Sequence, residues 1–210
     1  MKIKWLGHAC FYIETGYTKV VTDPFDKKVG YPMTAPEANL VTVSHQHWDH
    51  CAVDTVGGSP DIIKEAGIYQ YHDITVKGIP SFHDPNSGND RGPNIIFSLQ
   101  TEGINLVHLG DLGHIPDQAQ VKAIGSVDIL LIPVGGKFTI DAREAFTTVE
   151  MLNPRIVIPM HYKTPHLTFE LAPVEVFTSQ FNLVVKKPFL ELEGQDLKSG
   201  TKVIVLDYMS

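Results

Sequence analysis

Four short apolar runs in this chain each lead into a histidine or an aspartate. Leu40–Val43 runs into His45-Gln46-His47-Trp48-Asp49-His50. His83 follows Ile79-Pro80-Ser81-Phe82, Asp111 follows Leu106-Val107-His108-Leu109-Gly110, and His161 follows Ile156-Val157-Ile158-Pro159-Met160. Apolar runs of this length, bounded by turn residues, read as buried strands. If those strands end along one edge, the polar groups beyond them converge there, on loops held by a rigid sheet. A fold for this chain has to satisfy that convergence.

The His45–His50 window carries its own chemistry. Imidazoles suit zinc, iron, nickel or copper, and the carboxylate extends the range toward manganese. His45 and His47 are two apart, so in extended backbone they point the same way. A turn at Asp49 and His50 would aim those two groups at a second ion. The spacing suggests a two-metal site rather than one closed structural zinc, which more often uses paired cysteines, and the chain has no Cys-x-x-Cys. The plain alternative is a polar surface loop. At this chain's His and Asp frequencies, chance would produce the pattern on the order of once in a thousand such sequences.

The bulk figures narrow the function classes. A chain of 210 residues with 43% hydrophobic residues can bury a sizeable core, and a single domain over residues 1–210 is expected. The net charge of −7 disfavours a broad nucleic-acid or anionic-membrane surface. The N-terminus has no apolar run of signal-peptide length, and no stretch approaches the ~20 apolar residues of a membrane span. Cys10 and Cys51 form no disulfide framework. A cytoplasmic protein with reduced thiols is the expectation.

The pattern predicts strands over Lys2–Trp5, Cys10–Glu14, Lys19–Thr22, Leu40–Val43, Ile68–Tyr71, Ile74–Ile79, Val127–Ile132, Ile156–Pro159, Phe189–Leu192 and Lys202–Leu206. It also predicts a hairpin of Asn94–Thr101 and Ile104–Leu109 closed at Glu102-Gly103. Helices are predicted over Pro116–Ile124, Asp141–Leu152 and Pro173–Phe181. Asp141 and Glu144 are spaced as a capping box, and Asn153-Pro154 stops the second helix.

These residues together resemble the metallo-β-lactamase-fold hydrolase superfamily over nearly the whole chain. His45, His47, Asp49 and His50 match its H-x-H-x-D-H signature. His83 in Ser-Phe-His-Asp, Asp111 in His-Leu-Gly-Asp-Leu-Gly and His161 in Ile-Pro-Met-His-Tyr match its remaining metal ligands. Asp23 in Thr-Asp-Pro-Phe matches the aspartate that supports them. Leu-Gly-His-Ala, Arg91-Gly92-Pro93-Asn94 and Pro-Val-Gly-Gly-Lys-Phe-Thr-Ile-Asp-Ala resemble the small branch that includes the ascorbate-6-phosphate lactonases. The resemblance implies an α/β fold, a four-layer αββα sandwich with metals at one end. It implies that His45, His47 and His83 hold one ion, that Asp49, His50 and His161 hold a second, and that Asp111 lies between. A water or hydroxide would bridge two divalent ions, zinc being the first choice and manganese or iron open. Asp49 and Asp111 would then be the catalytic carboxylates.

Around this set, Asp23 is expected to orient a ligating histidine. His8 is read equally as a residue at the site edge or as a structural histidine. Arg91, in a Gly-, Asn- and Pro-rich segment expected to be a mobile loop, is read as a contact for an anionic substrate or as an ordinary solvated residue. Tyr162 is read as a proton donor or as packing. Trp48 is expected to pack under the motif, with a pocket wall as the alternative. Gly135-Gly136-Lys137 would allow close approach of backbone to a ligand. His108 is read as structural, His114 as a surface-loop residue, and His72 and His166 as surface or structural.

The resulting expectation is a metal-dependent hydrolase of a small ester, lactone or phosphoester. The alternatives are a phosphodiesterase or nuclease acting on RNA, an iron oxidoreductase, and a metal-stabilised binding domain without turnover. The partner expected is a small molecule, not nucleic acid or membrane. A homo-oligomer is compatible with the sequence, which does not set the oligomeric state.

Overall fold

The structure is a computed structural model, described here for residues 1–32, 36–192 and 200–208. Two sheets face each other. The first is built from β1 (Lys2–Gly7), β2 (Cys10–Glu14), β3 (Lys19–Thr22), β4 (Leu40–Thr42) and β5 (Asp61–Ile63). The second is built from β6 (Gly67–Tyr71), β7 (Ile74–Phe82), β8 (Pro93–Thr101), β9 (Ile104–His108), β10 (Ile129–Pro133), β11 (Ile156–Met160) and β12 (Val184–Lys187). β13 (Leu190–Glu191) returns to the edge of the first sheet beside β1, and β14 (Lys202–Leu206) enters the second between β12 and β11. The orders are β13-β1-β2-β3-β4-β5 and β12-β14-β11-β10-β9-β8-β7-β6. This is the mixed α/β, two-sheet architecture expected.

Period-two alternation explains the facing. In the first sheet Ile3, Phe11, Ile13, Val20 and Leu40 turn inward to join Val76, Phe97, Leu99 and Leu106 of the second. Burying a side chain of this kind contributes about 1.5–3 kcal/mol. β10 and β11 are buried at every residue, as strands covered on both faces should be. The α-helices are α1 (Gln118–Ile124), α2 (Ala142–Leu152) and α3 (Val174–Thr178). α2 starts at Asp141 in a capping box with Glu144 and ends at Asn153 in the left-handed conformation. Outside the first sheet the cover is different. Two 3-10 turns, Lys27–Val29 and Val53–Thr55, and the segment carrying Leu167 and Leu171 close over Cys10, Val21 and Val41. Among the described residues no helix is long and apolar enough to cross a membrane.

The differences from the predicted elements have local causes. β5 and β12 were not expected, because both are short edge strands with exposed residues and carry little apolar pattern. The third helix is five residues rather than Pro173–Phe181, its last turn being closed by Ser179–Phe181 turn hydrogen bonds. The hairpin closes as expected, with both Glu102 and Gly103 at positive φ.

Strand direction decides where the site lies. β9, β10 and β11 are parallel and in register, so they leave the sheet at the same edge. β7 and β9 both pair antiparallel to β8, so β7 ends there too. In the first sheet β3 and β4 are parallel, with Thr22 opposite Thr42. The loops after these strands must then pass close together. A Cβ on Gly113 would lie 2.3 Å from the backbone nitrogen of Asp84 and 2.3 Å from the carbonyl carbon of His83. Gly113→Ala should therefore destabilise by about 3 kcal/mol, the upper end of overpacking costs, because neither backbone can yield. Gly103→Ala has open space around it and should cost about 1 kcal/mol, from its positive φ alone. Urea midpoints of the two variants check this; equal losses would show that the loop contact is not tight.

Candidate metal centre

Asp23 and Ser44 organise the first half of the site. Asp23 directly follows β3 with φ +40, and its backbone N–H donates to the Thr42 carbonyl. Its carboxylate is fully buried. It accepts from the Ser44 backbone N–H at 2.7 Å and from the Ser44 hydroxyl at 2.5 Å, and it meets His50 Nδ1 at 2.9 Å. Ser44 Oγ also lies 2.9 Å from His45 Nδ1. With Nδ1 occupied in both histidines, each Nε2 is left to face the site, the usual role of a supporting carboxylate.

The remaining groups arrive as the strand directions require. Asp111, 2% exposed, has its Oδ2 3.2 Å from His50 Nε2, 3.3 Å from His83 Nε2 and 3.2 Å from His161 Nε2. Its backbone N–H is fixed by Asn94 Oδ1 at 3.0 Å. His45, His47 and His83 form one group of donor atoms within 4.8 Å of one another. His8, Asp49, His50 and His161 form another. His8 Nε2 lies 3.2 Å from Asp49 Oδ2, and the His8 carbonyl accepts the His161 backbone N–H. His8 and His161 both have φ +53, a conformation costly for residues with a side chain and concentrated at functional sites.

The donors fit divalent ions. Buried polar atoms normally have partners, yet His45 Nε2 and Asp111 Oδ1 have none among the described residues. Five of these six imidazoles, and Asp111, are at most 6% exposed. Imidazole nitrogens and carboxylate oxygens in two groups joined by one aspartate are a donor set for borderline divalent metals.

The electrostatics follow from burial and proximity. Desolvation and the neighbouring His161 push His8 down to about 4. Desolvation and His50 push His45 down to about 3, so both rings stay neutral, as ligands must. Desolvation also pulls His50 down, but Asp111 and Asp23 outweigh it and raise its pKa well above the ordinary value. Burial opposes ionisation of Asp111, yet His161 and His50 hold its pKa well below the usual range.

The other expected residues are placed as follows. Trp48 is 48% exposed and lines a cavity of about 500 Å³, which corrects the expectation that it packs under the motif. Its position after exposed Gln46 and His47 leaves it no apolar layer to enter. Asp111, His83 and His161 form the cavity floor, and Arg91, Phe138 and Phe169 share its walls with Trp48. Tyr162 does not reach this cavity. It stacks on Trp5 with ring centroids 5.1 Å apart, as the packing alternative describes, and burial pushes its hydroxyl pKa upward. His108 is structural, meeting the Ala9 carbonyl through Nε2 and the Gly110 N–H through Nδ1. His114 lies outside, against Phe82. His72 sits in the turn between β6 and β7, and His166 packs against Tyr31 and Tyr208. Ser44, Asp84, Phe138 and Phe169 had no sequence signal. Serine and phenylalanine are too common to single out, and the Asp84 contacts are all to backbone.

Without metal, the buried neutral histidines govern acid stability. His8, His45, His83 and His108 are all shifted below 6.5 in the folded state. Below about pH 6.5 the unfolded chain binds protons that the folded chain refuses, so folding stability falls as pH falls toward 4. His50 acts in the opposite sense, its contribution being present below 6.5 and lost as pH rises. Four groups outweigh one, and the chelated protein should lose unfolding midpoint steadily from pH 7 to pH 5. Urea titrations at each pH test this; a midpoint that rises over that interval would contradict it.

Known proteins are similar to this chain in sequence and fold. A family model described as a β-lactamase superfamily domain matches residues 2–161. A UPF0173 metal-dependent hydrolase from Carboxydothermus hydrogenoformans is 34% identical, covering 78% of this chain and 85% of that one. One from Thermococcus kodakarensis is 32% identical with the same coverage. The crystal structure of a candidate Zn-dependent hydrolase of the metallo-β-lactamase superfamily from Thermotoga maritima is 41% identical. It superposes with a TM-score of 0.83 over 98% of this chain and 97% of that chain.

Proposed function

This chain belongs to the metallo-β-lactamase superfamily of metal-dependent hydrolases, in the UPF0173 family, and from that premise we propose that it is a dinuclear enzyme cleaving an ester, lactone or phosphoester in a small molecule. The observation that carries the reading is Asp111. Its one carboxylate reaches His83 of the first donor group and His50 and His161 of the second, at 3.2–3.3 Å. His45, His47 and His83 would hold one ion and Asp49, His50 and His161 the other, with Asp111 shared. Zinc is the first choice, because imidazoles dominate; Asp49 and Asp111 keep manganese and iron open. Two divalent ions there would supply an activated water at neutral pH and polarise the scissile bond.

The chain's own residues have definable parts in this. Asp23 and Ser44 orient His50 and His45, so the donor atoms are set before substrate arrives. His8 holds Asp49 Oδ2 and thereby directs the carboxylate. The cavity is of a size for a small molecule, and Trp48, Phe138 and Phe169 give it aromatic walls. Lactone opening is the preferred reaction, on the resemblance of Leu-Gly-His-Ala and Arg91-Gly92-Pro93-Asn94 to motifs of the lactonase branch. The net charge of −7 and only 17 Lys and Arg residues weigh against RNA, whose binding depends on neutralising phosphates. Both cysteines are free, in keeping with a cytoplasmic enzyme.

A sample saturated with zinc or manganese should contain close to two ions per chain by elemental analysis. A value of one or less would defeat the dinuclear assignment. Asp111→Ala should retain its circular dichroism spectrum, release at least one ion and lose more than about 100-fold in turnover, beyond what loss of a supporting group costs. Near-normal activity with both ions kept would remove Asp111 from the centre. In parallel assays the loaded protein should turn over small lactones, esters or phosphoesters and leave structured RNA intact, with a chelated sample inactive. Chelator-sensitive RNA cleavage without small-molecule turnover would reverse the assignment.

A further inference from the structure

The segment after His83 is a locked turn. Asp84 is 1% exposed and forms no ion pair among the described residues. Its carboxylate instead collects four backbone N–H groups. Oδ1 accepts from Asn86 at 2.8 Å and Gly88 at 2.9 Å, and Oδ2 accepts from Asp90 at 3.1 Å and Arg91 at 2.7 Å. The turn is closed again by His83 N–H to the Gly92 carbonyl at 3.0 Å and Gly92 N–H to the Gly88 carbonyl at 2.9 Å. A segment whose composition suggests mobility is thus pinned from inside by one side chain. The residue it fixes most tightly is Arg91.

Arg91 is exposed and lines the cavity over the metal centre. Its guanidinium lies 5.3 Å from the centroid of the Phe138 ring. Lys137 Nζ lies 5.1 Å from the same ring. Neither cation is within ion-pair distance of a carboxylate among the described residues, although the Lys137 charge acts on Glu170 from further away. Asp90, the acidic residue next to Arg91, is engaged by Asn86 Nδ2 at 2.5 Å. A planar guanidinium resting on an aromatic ring keeps its outward N–H donors free, and its fork matches the oxygens of a carboxylate or phosphate. The Arg91 backbone is held by a buried carboxylate while its guanidinium rests only on the Phe138 ring, so the charge is open to an external anion.

Resting on the small-molecule hydrolase reading above, we infer that Arg91, held by Asp84 and seated on Phe138 beside Lys137, is the recognition site for an oxyacid anion on the substrate. The substrate is then an ester or lactone carrying a carboxylate or phosphate away from the reacting bond, with its apolar part against Phe138, Phe169 and Trp48. Arg91 binds the anion; Asp84 is a positioning residue that acts through Arg91.

Two measurements test this on the metal-loaded protein. Calorimetric titration with glutarate and with propylphosphonate should show affinity falling about tenfold in Arg91→Gln, with bound metal unchanged. Arg91→Lys should recover part of the loss. Asp84→Asn should weaken binding in the same direction. Kinetics on a matched pair, neutral 4-nitrophenyl butyrate and the 4-nitrophenyl monoester of glutaric acid, should show a lower KM for the anionic ester. That preference should vanish in Arg91→Gln through KM with kcat nearly constant. A larger loss for the phosphonate than for glutarate identifies phosphate as the anion, and the reverse identifies carboxylate. Unchanged affinity for both anions in Arg91→Gln overturns the inference, whatever the esters do. Anion binding lost in Arg91→Gln, with no ester, lactone or phosphoester hydrolysed by the wild type, would leave the recognition site standing and defeat the hydrolase reading.

Discussion

A buried carboxylate facing three imidazoles has to be compensated by the groups around it, and Asp111 is in that position. Its Oδ2 lies within 3.3 Å of His50, His83 and His161, each from a different loop. An unpaired charge at such burial would cost several kcal/mol, so the three loops must be delivered together. β11 delivers His161 and β7 delivers His83 at the edge of the second sheet where β9 delivers Asp111 itself, and β4 of the first sheet delivers His50. Gly110 and Gly113 let the Asp111 loop pass between its neighbours. A Cβ at Gly110 would lie 2.4 Å from Asn94 Oδ1, the atom that fixes the Asp111 backbone. The topology of the second sheet is in this sense a consequence of where one carboxylate has to sit.

Asp23 performs the matching task in the first sheet. It reaches His50 directly and His45 through Ser44, so one buried carboxylate orients a histidine of each donor group. Its φ of +40 is unfavourable for a residue with a Cβ. His8 and His161 carry the same cost, and the hydrogen bond between their backbones holds both in place. Three strained residues within one site mark where the fold gives up local stability to set donor positions, and the extensive core between the sheets offsets it.

Much of this was legible in the sequence, for identifiable reasons. The strands that carry the site are apolar, bounded by turns and buried on both faces, so β4, β9, β10 and β11 could be placed within one or two residues. The capping box at Asp141 and the Glu102-Gly103 turn are local chemistry and read directly. Short edge strands such as β5 gave no pattern, because half their surface is solvent. Side-chain roles that depend on tertiary neighbours were harder. Tyr162 sits beside His161 in sequence, but the chain leaves β11 at His161 with positive φ, and the Tyr162 ring stacks on Trp5. Asp84 is one residue from His83 and works entirely on backbone N–H groups that no residue-type pattern encodes.

The site therefore divides into two parts with different physical constraints. The floor is dry, densely hydrogen-bonded and coupled, so replacing any one group disturbs several others and costs stability as well as chemistry. The walls, Trp48, Arg91, Phe138 and Phe169, are exposed or half-buried. Exposed substitutions away from such networks usually shift stability by no more than about 0.5 kcal/mol. Arg91 is the exception on the rim in being tied to the floor, since the turn that holds it begins at Asp84, the residue after His83. That coupling ties the backbone of Arg91 to the loop that carries His83, whereas Trp48 is not held by this turn. Substrate choice can thus change through the free walls at little cost in stability. Under the proposed function, the network beneath would set the reaction type and the place of an anionic group on the substrate.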